Sequence, residues 1–143
     1  MASQVKFYQE RRQGTLDALA EMKTLTREMM ACLLQGKLKN FGGILHKAWQ
    51  QKQRMNPSTV TPYLSDIYEE ALRNGAVGGK LLGAGGGGFF IFFTPFTKKG
   101  RVAEALTRLG AQLTPLVFDF GGMQTWQVAE ETLAEETDGL FDR

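Results

Sequence analysis

The chain has 143 residues and a mass of 15.9 kDa, with 43% hydrophobic and 22% charged residues and a mean hydropathy of -0.23. Such values describe a globular domain with material for a core and exclude a collagen-like, disordered or disulfide-stapled chain. The net charge of +2 is uneven: +6 over residues 1–54 (ten Lys/Arg against four Asp/Glu), +1 over residues 55–128 and -5 over residues 129–143.

The N-terminus, MASQVKFYQERR, has no apolar stretch of the kind a secretory signal requires. Leu16, Leu19, Met22, Leu25, Met29, Cys32 and Leu33 then recur at steps of three and four. That spacing predicts an amphipathic helix over residues 3–34, broken near Gly14 and ended by Gly36. A second helix is predicted over 37–54, with Leu38, Phe41, Leu45, Ala48 and Trp49 on its buried face. After the turn cluster Asn56-Pro57-Ser58, a third is predicted over 60–74, burying Val60, Leu64, Ile67, Ala71 and Leu72 and closed by Asn74-Gly75.

The second half changes character. Residues 77–82 read as a short strand and 83–88 as a glycine loop. The run Phe89-Phe90-Ile91-Phe92-Phe93 reads as a strand buried on both faces, ended by Thr94-Pro95. It is also the longest apolar run, far below the ~18–20 residues a membrane span needs, so no membrane association is expected. A helix is predicted over 97–109, burying Val102, Leu106 and Leu109. Leu116, Phe118 and Phe120 alternate with Val117 and Asp119, then Gly121-Gly122 precedes a second alternating run to Val128, a hairpin signal. The order is α+β: an antiparallel sheet with a helical N-terminal half packed on it, over residues 1–128. Residues 129–143 form an acidic extension that reads as a solvated tail or short terminal helix. The basic first half carries no base-reading motif, so its charges read as solvated helix faces and no nucleic-acid partner is expected.

Glycine makes up 17 of 143 residues, and five of the six residues 83–88 are glycine. Such a loop can take positive φ at several positions, and its N–H groups are unshielded, so an anion can approach them closely. Gly83, Gly85 and Gly88 formally match G-x-G-x-x-G, but a strand follows where the dinucleotide fingerprint needs a helix. The G-x-x-x-x-G-K-[ST] phosphate loop also fails, since Lys80 precedes the glycines. Two readings stand: a hairpin connection, which needs only two residues of positive φ, or a loop that faces a ligand.

Residues 75–93, GAVGGKLLGAGGGGFFIFF, resemble the third conserved motif of the GHMP kinases, roughly G-A-x-G-x-K-x-[TL]-G-[AG]-G-x-G-G. The variant GGKLLGAGGGGF is most similar to the sugar-kinase branch that phosphorylates D-glycero-D-manno-heptose 7-phosphate. The resemblance implies a ferredoxin-like C-terminal GHMP kinase domain. It also implies that Gly83, Ala84, Gly85, Gly86 and Gly87 line the cleft beside the phosphates and the acceptor sugar. Lys80 is either an ammonium offered to a phosphate or a strand lysine facing solvent. ATP and Mg²⁺ are implied for the complete kinase. The family's other domain carries a P-x-x-x-G-L-G-S-S-A loop, and none occurs here: the serines are Ser3, Ser58 and Ser65. Phosphoryl transfer depends on positioning and charge neutralisation, so these residues are expected to be inactive alone and to hold neither cofactor tightly. The expected partners are an N-terminal kinase domain, in cis or trans, and a sugar phosphate. The alternative is a stand-alone sugar-phosphate-binding module or a homodimer.

His46 is the single histidine and Cys32 the single cysteine. His46 reads as structural, with a ligand contact left open by the resemblance; a lone histidine does not make a zinc site. Cys32 reads as a core residue incapable of an internal disulfide, compatible with a reducing cytoplasm. Trp49, Trp126 and residues 89–93 read as packing residues, and Asp119 as exposed.

Overall fold

The computed structural model describes residues 2–57, 60–83 and 87–126. The elements in chain order are α1 (Ala2–Gln9), α2 (Gln13–Leu34), α3 (Leu38–Met55), α4 (Pro62–Arg73), β1 (Gly78–Leu81), β2 (Phe90–Phe93), a 3₁₀ turn (Phe96–Lys98) and α5 (Lys99–Arg108). β1 and β2 pair antiparallel, with Gly78 opposite Phe93 and Leu81 opposite Phe90. The α+β reading holds: a helical first half packed on an antiparallel sheet.

Local chemistry sets the boundaries. Thr61 caps α4, its hydroxyl accepting from the Leu64 N–H at 3.2 Å, and Pro62 stands at the first helical position, where no N–H is needed. α2 and α4 end in the same motif. Gly36 and Gly75 take φ of 66° and 109°, and the next residues' N–H groups return to Cys32 and Ala71 carbonyls at 2.9 Å.

Two compact units divide the chain at Leu113–Thr114. In the first, α2 packs along α3, α3 covers β1, and α4 packs against α5. Leu25, Ile44 and Ala48 form the α2–α3 seam. Trp49, Leu64, Tyr68 and Leu81 form the centre, with Phe90 and Phe92 against it. α3 approaches β1 through glycines on both sides: a Cβ at Gly78 would lie 2.1 Å from the Gly42 carbonyl oxygen.

Several expectations change. The predicted first helix is two helices, and the break falls at Glu10–Arg12, not Gly14. Arg11 there takes φ 49°, and the Arg12 guanidinium lies 3.9 Å over the Phe7 ring. Residues 90–93 are half-buried and Phe89 is exposed, because the sheet has two strands among the described residues and helices cover one side. Cys32 is half-buried at the edge of the α2–α3 seam.

In the second unit, residues 114–126 form no strand; the rest of the predicted hairpin, residues 127–128, lies outside the described residues, as does the acidic extension. An alternating run becomes a strand only when a partner takes its N–H and C=O groups and a core takes one face. Here Val117, Phe118 and Phe120 are all exposed, on both phases of the alternation, and so is Trp126, which the sequence reads as packed. The Asp119 carboxylate accepts from the Gly121 N–H at 2.7 Å, a local turn in place of a ladder.

Candidate functional site

The glycine-rich segment is the connection between β1 and β2. The ladder runs one rung past the strands, the Leu82 N–H donating to the Phe89 carbonyl at 2.8 Å. The loop therefore leaves and returns at one sheet end. Gly83, Gly87 and Gly88 are exposed and all have positive φ, 77° at Gly83. A side chain at Gly83 would meet nothing within 4 Å, so its glycine answers a backbone need and not a crowded one. Ala84, Gly85 and Gly86, the middle of the expected site, lie outside the described residues.

Lys80 sits on β1 opposite Ile91 and is half-buried. A second lysine that sequence reasoning missed, Lys52, lies under the same sheet end. It projects from the last turns of α3, is only 6% exposed, and its ammonium donates to the Leu81 carbonyl at 3.1 Å and to the Gly83 carbonyl. Burial, and then the neighbouring Lys80 charge, hold its pKa below the ordinary lysine value. The missed signal was its register: Lys52 follows Leu45, Ala48 and Trp49 on the buried face of α3.

Below the lysines is an aromatic cluster. Trp49 and Tyr68 rings lie 5.6 Å apart, and Phe90 lies 5.3 Å from Trp49. His46 stacks on Tyr68 and its Nδ1 lies 2.7 Å from the Tyr68 hydroxyl. The Gln50 side-chain amide stands 3.1 Å from Nε2. These two contacts join Tyr68, His46 and Gln50 in one chain of side chains. Burial raises the Tyr68 pKa, opposed by a backbone hydrogen bond from Gly79. His46 is thus tied to the strand that feeds the loop by way of Tyr68, which agrees with its structural reading and adds a partner that spacing did not reveal.

Among the described residues no group of three or more His, Cys, Asp or Glu is placed to hold a metal ion, and no helix is long and apolar enough to cross a membrane. An open groove of about 580 Å³ between α2 and α3 is lined by Cys32, Lys37, Lys39 and Lys47 among others, none of them an expected site residue.

A family model described as GHMP kinases C terminal matches residues 29–112. The chain is 31% identical over 114 residues to the D-glycero-alpha-D-manno-heptose 7-phosphate kinase of Campylobacter jejuni subsp. jejuni, an alignment covering 80% of this chain and 34% of that protein. It is 32% identical over 74 residues to the L-fucokinase/L-fucose-1-P guanylyltransferase of Bacteroides fragilis, covering 52% of this chain and 8% of that protein. The chain therefore spans about a third of the length of the first relative and less than a tenth of the second.

Proposed function

The chain belongs to the GHMP kinase C-terminal family and is homologous to sugar kinases, and from that footing we propose that it supplies the substrate-cleft half of an ATP-dependent sugar kinase. The acceptor is a hydroxyl of a sugar or sugar phosphate, with a heptose 7-phosphate as the first candidate. The observation that carries the reading is the β1–loop–β2 unit. Exposed glycines of positive φ leave and re-enter a sheet end that also holds Lys80 and Lys52. Backbone N–H groups and ammonium groups there offer positive potential to an oxyanion, and fixed donors of this kind stabilise developing charge without reorganising.

In this reading the chain's residues bind and orient; they transfer no proton. ATP, when bound, supplies the transferred phosphoryl group. Among the described residues no group of three or more His, Cys, Asp or Glu is placed to hold a metal ion, and no step is assigned through Mg²⁺. The phosphate loop and metal ligands belong to an N-terminal kinase domain acting in cis or trans.

The test is reconstitution. Mixing this chain with a GHMP N-terminal domain should give ADP release that depends on both pieces, on ATP and on a sugar, with a heptose 7-phosphate compared against L-fucose. Absence of turnover with every sugar, while the chain still binds sugar phosphate, would favour a non-catalytic binding module.

A further inference from the structure

Lys52 is the charged side chain in this fold that packing explains least. It is 6% exposed and its ammonium reaches the backbone of Leu81, a member of the central cluster, and a methionine there would bury a similar volume without desolvating an ammonium. A second positive charge, Lys80, lies near enough to disfavour it further. What a cation does here that a methionine cannot is bind carbonyl oxygen. Its two acceptors, Leu81 and Gly83, flank the residue whose N–H closes the final rung with Phe89. Left free, those two oxygens would place partial negative charge at the entrance of a loop read as facing a phosphate.

We propose that Lys52 is a positioning residue for oxyanion binding: it draws the Leu81 and Gly83 carbonyls toward α3 and holds the loop entrance in the form that receives a phosphate-bearing ligand. The proposal rests on the phosphate-facing reading above, and adds a claim of its own about which side chain sets the geometry. Lys52 acts through the backbone; Lys80, half-buried on the strand, is the ammonium left to meet the ligand.

The test titrates inorganic phosphate into the whole chain and follows the Leu82, Gly83, Gly87 and Gly88 amide signals, in the wild type and in Lys52→Met and Lys80→Met. Lys52→Met is expected to speed solvent exchange at Leu82 and Gly83 and to weaken phosphate binding about tenfold, the scale of one lost charge-assisted hydrogen bond. Lys80→Met should weaken binding while leaving exchange at Leu82 and Gly83 as in the wild type. Wild-type exchange rates and phosphate affinity in Lys52→Met overturn the proposal alone. A wild-type chain indifferent to phosphate overturns the phosphate-facing reading and the proposal's ligand with it. Should methionine unfold the chain, as circular dichroism would report, Lys52→Arg carries the test. It keeps the charge and the donors, so the proposal expects Leu82 exchange and phosphate affinity closer to wild type than in Lys52→Gln, which removes the charge; wild-type exchange and affinity in Lys52→Gln overturn the proposal.

Discussion

The Gly42 carbonyl oxygen limits how closely α3 can lie on β1. A methyl group added at Gly78 would stand 2.1 Å from it, with backbone on both sides and no flexible side chain to give way. Gly78→Ala is therefore expected to cost about 1–3 kcal/mol of stability, the usual range for overpacking, read as a lower urea midpoint. Gly43→Ala, where a Cβ meets nothing within 4 Å, is the matched control and should be neutral or slightly stabilising. Glu70 gives a second residue-scale prediction. Its carboxylate accepts from the Asn74 amide at 2.8 Å and from Arg73 at 2.9 Å, and these two interactions hold its pKa below the ordinary value. A depressed carboxylate pKa stabilises the fold above the unfolded-state value and loses that contribution as pH falls through the folded-state value. Glu70→Gln should therefore flatten the acid limb of a stability–pH profile below about pH 4.5, while a profile identical to wild type would contradict this account.

At the scale of elements, α3 carries the fold. It packs against α2 on one side and the sheet on the other, and Trp49, 1% exposed, is its central contact. Trp49→Ala should cost about 3–5 kcal/mol, enough to consume much of a domain's stability, with thermal unfolding as the measure. The helices were legible because their signals are local: Thr61-Pro62 starts α4, and Gly36 and Gly75 stop their helices within a residue or two of the sequence boundaries. The glycine loop's place between two strands was legible for the same reason. Lys52 was legible only in part: its register puts it on the buried face of α3, but the carbonyls that satisfy its ammonium there come 29 and 31 residues later. The hairpin expected after Leu113 failed from the opposite cause: residues 116–120 alternate correctly, but pairing is non-local and the pattern carries no information on whether a partner edge exists.

For the molecule as a whole, the division at Leu113 separates a unit of packed elements from a segment whose described part is irregular. Proteases choose exposed backbone without secondary structure. Brief chymotrypsin treatment should cut first after Phe118, Phe120 or Trp126, all exposed, leaving a fragment that retains residues 2–113, readable by mass spectrometry. Early cuts after Tyr68 or Trp49 would contradict the burial described above. The same division separates the two tryptophans, and this makes the protein its own optical reporter. Trp49 sits in a dry aromatic nest and Trp126 is 81% exposed. The emission spectrum is accordingly a sum of a blue component and a red one. Iodide extinguishes the red component, and Trp126→Phe removes it, leaving Trp49 as the single tryptophan, whose emission, excited selectively over the tyrosines, can report on ligands at the glycine loop without any attached dye.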